Sequence, residues 1–455
     1  MNMRLDAFER DIKQKKVTVI GIGISNLPLI KYLNRLGARV TACDKRTAEG
    51  LGDSYFELRE LGINMCLGED YLSKIDGDVI FKTPGMRYDI PQLNAARKRG
   101  AEVTSEMEVF FDICPCKIIA VTGSDGKTTT TTLINKIMEQ EGYKTWLGGN
   151  IGNPLLTEVG KMDKEDYVIL ELSSFQLHTL KKSPHIAVMT NISPNHLDMH
   201  KDYREYIDAK KNIMLYQSSD DILVTNSANE VTNEIGKAAK GENRGFSSKS
   251  DALIQLKNGS IYYGDEEILK TEDIKIPGGH NVENYMAAIG AVYGLVSKNS
   301  IIAVAKSFGG VEHRIELVRE LDGVKYYNSS IDSSPNRTKN TLSVFPNRVI
   351  MICGGKDKGI PYDEIGPVIV NHVKVLILIG ATAKVIENAV NNALSKTPSD
   401  IKIFHANTYQ EAVICAKENA LSGDVVLLSP ASTSFDMFKN FEERGNLYKA
   451  IVNSL

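Results

Sequence analysis

Short runs rich in β-branched and apolar residues alternate along this chain with helix-length segments of mixed polarity. Val17–Ile20, Arg39–Cys43 and Val79–Phe81 form a first series of such runs. Ile118–Val121, Tyr167–Leu170, Ile186–Thr190 and Ile222–Thr225 form a second. Val324–Tyr327, Arg348–Cys353, Val373–Ile379, Ile401–Phe404 and Val425–Leu428 form a third. Nearly continuous apolar runs mark strands buried on both faces, and helical segments between them imply parallel sheets with helices on either side. Three series predict an α/β protein of three domains, each built on a mainly parallel sheet. The breaks fall near Thr104–Glu108 and at Gly309-Gly310, giving domains over 1–105, 106–310 and 311–455. The length of 455 residues agrees with about three domains at roughly 150 residues each.

Composition narrows the class. The chain is 42% hydrophobic and 24% charged, as soluble globular proteins are. A formal net charge of −3 offers no basic surface for nucleic acid or an anionic membrane. The six cysteines include no C-x-x-C pair, so neither a disulfide framework nor a cysteine metal site is expected, Cys114-Pro115-Cys116 included. Met1 to Lys16 is charged and lacks the apolar centre of a secretory signal. No apolar run approaches the roughly 18 residues of a membrane span. A cytoplasmic protein without membrane insertion is expected.

The most specific local signal is Val121-Thr122-Gly123-Ser124-Asp125-Gly126-Lys127-Thr128-Thr129, between the run Ile118–Val121 and a helical pattern over Thr129–Gln140. Strand, glycine-rich loop, lysine, hydroxyl and helix make a cradle for nucleotide phosphates. Backbone N–H groups close on the phosphate oxygens, and the helix N-terminus adds partial positive charge. Lys127 is placed to reach the terminal phosphates and Thr128 to offer a hydroxyl to Mg²⁺. Val121 stands where the longer phosphate-loop motif has its first glycine, so this is a shortened variant.

The first domain carries Gly21-Ile22-Gly23-Ile24-Ser25-Asn26 on a strand-to-helix turn, with Asp44 closing the next strand. Gly21 and Gly23 allow close phosphate approach, and Asp44 is available to a ribose or base. Asn26 replaces the third glycine of the dinucleotide fingerprint, and about 105 residues suit a mononucleotide-binding half better than a full dinucleotide fold. A nucleotide-diphosphate tail is therefore favoured over NAD. Thr83-Pro84-Gly85, directly after a strand, can add a backbone amide or be a plain turn.

In an α/β sheet, ligand groups collect at strand C-termini. Glu171 follows Tyr167–Leu170, where a carboxylate can share Mg²⁺ with Thr128. Asn191 and His196 lie just beyond Ile186–Thr190. Alone, His196 reads as a hydrogen-bonded loop histidine; beside the phosphate loop and Glu171 it reads as part of the site.

Together with Gly148-Gly149-Asn150-Ile151-Gly152, Glu171–Leu177, Asn191–Asp198, His280-Asn281-Val282-Glu283-Asn284, His313-Arg314, Gly354–Gly359 and Leu428–Gly445, these motifs resemble the Mur ligases over essentially the whole chain. The resemblance implies a Rossmann-like N-terminal domain, a P-loop-type central ATPase and a Rossmann-like C-terminal domain. It implies ATP-dependent joining of D-glutamate to UDP-N-acetylmuramoyl-L-alanine through an acyl phosphate and a tetrahedral intermediate, by a monomer. Lys127 and two Mg²⁺ ions would neutralise the phosphates, with Thr128 and Glu171 on one ion, and Glu171 and His196 around the other. Lys210 matches the position of a carbamylated lysine, whose carboxylate-like anion would orient water on the second ion and so join the metal set. Its amine must first be neutral, and Lys211 and the metal site are the expected causes of a lowered pKa. Without the resemblance, Lys210 is a plain exposed helix lysine.

By the same resemblance, Gly123, Ser124, Asp125, Gly126, Thr129, Asn150, Asn281, Asn284 and Arg314 fall at ATP-contacting positions. Gly23, Ser25, Asn26, Asp44, Arg46, Gly85, Ser173 and Gln176 fall at the uridine-nucleotide substrate. Ser333, Lys358, Ser434, Phe435 and Phe441 fall at D-glutamate, although core packing is the default role of Phe441. One departure stands out. Ser329 occupies the place of an aspartate that contacts the ATP ribose in relatives; either Asp332, three residues later, substitutes from a neighbouring turn position, or ATP affinity is reduced. Another Mur-type or folylpolyglutamate-type ligase, or a nucleotide-binding sensor without turnover, are the alternatives.

Overall fold

The structure, a computed structural model, describes residues 2–73, 75–194, 200–357 and 359–455. Among these residues the strands form three sheets. The first contains β1 (Lys16–Ile20), β2 (Arg39–Asp44), β3 (Asn64–Leu67), β4 (Val79–Phe81) and β5 (Glu102–Thr104). Its order is β3-β2-β1-β4-β5, all parallel, one strand short of the six in a dinucleotide fold.

The second sheet contains β6 (Lys117–Thr122), β7 (Thr145–Gly149), β8 (Tyr167–Glu171), β9 (Ile186–Met189), β10 (Ile222–Asn226), β11 (Glu242–Ser247), β12 (Ile254–Lys257), β13 (Ser260–Tyr263) and β14 (Glu266–Lys270). In the order β14-β13-β12-β11-β10-β9-β6-β8-β7, the strands from β12 to β7 are parallel, and β13 and β14 extend the sheet as antiparallel strands. The order matters for chemistry. β6 lies between β8 and β9, so the phosphate loop after β6 is flanked by the ends of the strands that deliver Glu171 and Asn191.

The third sheet contains β15 (Glu316–Leu321), β16 (Val324–Asn328), β17 (Val349–Cys353), β18 (Val373–Leu378), β19 (Lys402–His405) and β20 (Val425–Leu428), in the order β15-β16-β20-β17-β18-β19. Only its β15–β16 pair is antiparallel. Along β17, Ile350 and Ile352 belong to one apolar cluster, whereas Met351 and Cys353 belong to another on the opposite face. Burial of both faces is why this strand reads as an unbroken apolar run.

The chain divides into two compact units, residues 1–271 with 282–304, and residues 272–281 with 305–455. In the first unit one core runs through both sheets. The helices Met3–Ile12 and Glu106–Ile113 join it through Leu5, Ile12, Phe110 and Phe111, next to Leu155 and Leu156. No described helix is long and apolar enough to cross a membrane.

Candidate active site

The phosphate loop starts where β6 ends. The helix that follows, Lys127–Glu141, begins two residues earlier than its sequence pattern suggests, so Lys127 and Thr128 form its first turn. Gly126, at φ 78°, sits in the left-handed region, and a Cβ there would run into Oδ1 of Asn284. A Cβ on Gly123 would run into Thr190 Oγ1. Glycine is thus required twice by contact as well as by φ.

Asn191 grips the loop. Its Oδ1 accepts from Asp125 N at 3.0 Å, and its carbonyl accepts from Ser124 N at 2.8 Å. Thr190 Oγ1 donates to Asp125 O at 2.6 Å. Lys127 Nζ donates to Ser124 O at 2.9 Å, across the loop it is expected to serve. Thr128 and Thr129 are half-buried at the helix start.

Glu171 is the last residue of β8 and is 1% exposed. Asn150 donates to its Oε1 at 2.7 Å, whereas Oε2 is buried without a hydrogen-bond partner among the described residues. A buried, ionisable oxygen left unmatched is costly, and a divalent cation bridging it to a phosphate would remove that cost. The donor set fits Mg²⁺, with Thr128 as the hydroxyl from the facing helix. Asn150, expected at ATP, is here the residue that orients Glu171. His196 lies outside the described residues, and no cluster of three His, Cys, Asp or Glu suited to a metal occurs among those described.

Lys210 is the clearest correction to the plain sequence reading. It is 2% exposed, donating to Gly123 O at 2.7 Å and Thr122 Oγ1 at 3.3 Å. Its nitrogen also lies 4.8 Å from the ring centre of Tyr206. Burial pushes its pKa well below that of a free lysine, and repulsion from Lys127 adds to the shift. The expected depressor, Lys211, is not a cause; the charge that acts is on the phosphate loop.

At the helix beginning Gly279, the two asparagines part company. Asn284 accepts from Thr130 Oγ1 at 3.3 Å and faces Gly126, whereas Asn281 Nδ2 donates to Pro277 O at 2.6 Å. Ser173 and Gln176 form a reciprocal capping box on the helix Ser174–Leu177, which holds the segment after Glu171 in place.

The first-sheet loops enclose a cavity of about 490 Å³ lined by Gly21, Gly23, Asp44, Arg46, Tyr71 and Gly85 among others. Asp44 accepts from Ile22 N at 2.7 Å and pairs with Arg46 at 2.9 Å. Burial alone would raise the Asp44 carboxyl, but the hydrogen bonds from Arg46 and Ile22 outweigh it and hold the pKa at about 2. A fixed carboxylate beside an arginine suits a ribose or a pyrimidine edge. Asn26 is turned inward, donating to Ile20 O at 3.0 Å, and so closes the turn, while the Ser25 hydroxyl makes no cap bond. Sequence reasoning missed Tyr71, Leu72, Met86 and Ile90, the apolar wall of this cavity, because they sit in loops with no motif.

In the second unit, Ser329, Ser330, Asp332, Ser429, Ser432 and Ser434 are all buried. Asp332 accepts from Ser429 Oγ at 2.7 Å, and burial raises its pKa. The Ser329 hydroxyl accepts from Ile315 N at 3.3 Å. Both residues of the altered ribose motif are thus engaged inside their own unit. Arg314 N donates to Val311 O at 2.9 Å at the start of this unit's sheet. Ser333 N donates to Ile331 O at 2.7 Å, which fixes the turn carrying its hydroxyl. Phe435 is 61% exposed, whereas Phe441 packs edge-on to His313 at 5.9 Å. Lys358 lies outside the described residues. Arg444, inside the Leu428–Gly445 stretch but not among the expected site residues, is 1% exposed and donates to Ser330 O at 2.8 Å, Ser330 Oγ at 3.0 Å and Ser432 O at 3.1 Å.

Comparison with known proteins covers the chain almost end to end. The Mur ligase MurD-like N-terminal domain matches residues 15–105, the Mur ligase middle domain 121–292, and the Mur ligase glutamate ligase domain 313–432. The chain is 56% identical over 464 residues to a UDP-N-acetylmuramoylalanine--D-glutamate ligase of Ruminiclostridium cellulolyticum, covering 100% of both sequences. It is 54% identical to the protein of that name from Acetivibrio thermocellus, again over 100% of both. The fold is shared with UDP-N-acetylmuramate-alanine ligase from Thermotoga maritima at a TM-score of 0.57 and 19% identity, over 97% of this chain and 99% of that one. It is shared equally with MurF from Acinetobacter baumannii, at 0.57 and 17% identity over 98% and 92%.

Proposed function

The chain belongs to the Mur ligase family, and from that premise we propose that it joins D-glutamate to UDP-N-acetylmuramoyl-L-alanine at the expense of ATP, in peptidoglycan precursor synthesis. The observation that carries the ATP half of this reading is Glu171 beside the phosphate loop, held by Asn150 on one oxygen and, among the described residues, unmatched on the other. The D-glutamate half rests on relatives that are about half identical over their full length.

The substrate carboxylate attacks the ATP γ-phosphorus, the bond to the bridging oxygen breaks, and ADP leaves. The D-glutamate amine then attacks the acyl carbon, and inorganic phosphate departs from the tetrahedral intermediate. For the first step the chain contributes mainly position and charge. Gly123–Gly126 amides and the Lys127 ammonium draw charge off the γ-phosphate, while Asn191 and Thr190 keep the loop in shape. Mg²⁺, held by Thr128 and Glu171 with His196 at a second ion, would neutralise the phosphate oxygens. Lys210, as its neutral amine, would add CO₂ through Nζ and release one proton, giving a carbamate anion beneath the loop that can orient water on the second ion. Asn281, Asn284, Arg314 and Asp332 are assigned to ATP. Gly23, Ser25, Asn26, Asp44, Arg46, Gly85, Ser173 and Gln176 are assigned to the uridine nucleotide. Ser333, Lys358, Ser434, Phe435 and Phe441 are assigned to D-glutamate. We assign residues 1–105, 106–310 and 311–455 as the domains, and a cytoplasmic monomer as the working form.

The test is phosphate release from ATP with Mg²⁺ and UDP-N-acetylmuramoyl-L-alanine, across a panel of amino acids. D-Glutamate alone should support turnover. Equal rates with L-alanine or diaminopimelate would reassign the substrate, and release without any amino acid would point to a nucleotide-binding sensor.

A further inference from the structure

The loop that follows β4 carries Gly85 and, two residues on, Arg87, which belongs to no motif. The Arg87 guanidinium is shared by two carboxylates. Its Nε and Nη2 donate to Asp89 at 2.9 and 2.8 Å, within the same loop. Its Nη1 and Nη2 donate to the two oxygens of Glu205, both at 3.1 Å, on the helix Tyr203–Leu215 of the second sheet. Lys201 closes the ring, with Nζ 3.4 Å from Asp89 and its backbone N donating to Glu205 at 2.6 Å. Glu205 is 15% exposed and Arg87 27%, so the forked pair is partly shielded from solvent. Bidentate geometry in such a network is the case in which an ion pair fixes position rather than decorating a surface.

What this clasp holds is informative. Tyr206, the next residue, lies 2.9 Å through its hydroxyl from Ser124 Oγ of the phosphate loop. Ser124 spends its own proton on Ser193 O at 2.9 Å, so the tyrosine is the donor. One turn further along the same helix, Lys210 donates to Gly123 O. From Gly85 to the phosphate loop the connection therefore runs through the short loop to Arg87, the ion pair with Glu205, and one helix.

Resting on the reaction proposed above, we propose that Arg87 and Glu205 are positioning residues. They hold the loop at the uridine-nucleotide substrate against the helix that braces the phosphate loop, and so set the reach from the substrate carboxylate to the γ-phosphate. In-line attack needs reacting atoms about 3–3.5 Å apart, and a 1 Å misplacement costs on the order of 10²-fold in rate. The role proposed for both is to position these parts, not to contact the reacting atoms.

The test uses the full chain with Arg87→Ala, Arg87→Lys, Glu205→Gln and the Arg87→Ala/Glu205→Gln double variant. Measured are kcat, the KM for UDP-N-acetylmuramoyl-L-alanine, the Kd of a non-hydrolysable ATP analogue, and Tm. Arg87→Ala and Glu205→Gln should each lower kcat about 10- to 100-fold with the analogue Kd within about twofold, and the double variant should be no worse than either single. Arg87→Lys, which keeps the charge but not the fork, should recover part of the rate. Parental kcat in Arg87→Ala overturns the proposal. So do losses that multiply in the double variant, or a fall in analogue binding that tracks a fall in Tm, which is the mark of simple destabilisation. Parental D-glutamate-dependent phosphate release in the same assay separates the two readings: its absence removes the reaction, whereas its presence with an unaffected Arg87→Ala removes only the clasp.

Discussion

Asn150 holds one oxygen of the Glu171 carboxylate at 2.7 Å and leaves the other buried and, among the described residues, unmatched at the C-terminal end of β8. An amide donor orients the carboxylate without neutralising it, so its charge stays available to a cation.

Glu171→Gln should therefore keep the fold, since the amide oxygen still accepts from Asn150, yet lose the charge. Turnover should fall on the order of 10²–10³-fold, and the Mg²⁺ concentration for half-maximal rate should rise. Asn150→Ala frees the carboxylate without removing it, so its loss should be smaller and partly recovered by excess Mg²⁺. A magnesium titration of the three proteins checks both expectations; identical Mg²⁺ curves would remove Glu171 from the metal site.

Lys210 is proposed to add CO₂ as its neutral amine, a form that burial and, after it, the neighbouring Lys127 favour over the ammonium. Raising pH through the depressed pKa increases the neutral fraction, so the rate should climb on the acid side of the profile. Depleting CO₂ should lower it, and added bicarbonate should restore it. With ¹³C-bicarbonate, a carbamate carbon resonance should appear in the parent and be missing from Lys210→Ala. A parent spectrum without that signal, alongside full activity in CO₂-free buffer, would sink the carbamate.

Much of this was legible in sequence, and the reason is physical. β4 (Val79–Phe81) and β20 (Val425–Leu428) match their predicted runs to the residue, because strands buried on both faces show as unbroken apolar runs. β12 to β14 and β15 were invisible. Their sequences, such as Glu316-Leu317-Val318-Arg319-Glu320-Leu321, mix charged or polar residues with apolar ones as strands at a sheet margin do. The phosphate loop announced itself because its chemistry lies in one contiguous stretch. Arg87 and Arg444 did not, because each acquires meaning from a partner more than a hundred residues away. The burial of Lys210 beneath Gly123 is likewise a product of packing, which helix spacing alone could not distinguish from exposure.

Glu106 gives the chain a built-in pH dependence of stability. It is 8% exposed, its Oε1 accepts from Leu156 N at 3.0 Å, and burial raises its pKa from 4.5 to about 7. Between those values the folded chain keeps a proton that the unfolded chain has lost. The contribution is thus complete below pH 4.5 and disappears as pH rises through about 7. The shift amounts to about 3 kcal/mol. Glu106→Gln, permanently neutral, should flatten this slope, with Tm close to the parent at pH 5 and higher at pH 8. Parallel Tm curves across that range would show that Glu106 is charged in the folded state.

The D-glutamate end separates a ligand charge from a structural one. Lys358, directly before Gly359 in the stretch that follows β17 in sequence, is proposed to meet the side-chain carboxylate, and a buried carboxylate stripped of such a partner loses about 2–5 kcal/mol. Lys358→Ala should raise the D-glutamate KM strongly while Tm and the KM for ATP stay near parental values. Arg444 is a different case. Its guanidinium joins Ser330, before the Ser333 turn, to Ser432, before Ser434, from a position 1% exposed. Replacing it with methionine fills the space but orphans two carbonyls, at about 1–3 kcal/mol each, so Arg444→Met should lower Tm and raise the D-glutamate KM together. Calorimetry beside steady-state kinetics distinguishes the pair. A Lys358→Ala protein that uses D-glutamate as well as the parent would remove both the role of that lysine and the charge-based reason for choosing glutamate over a neutral amino acid.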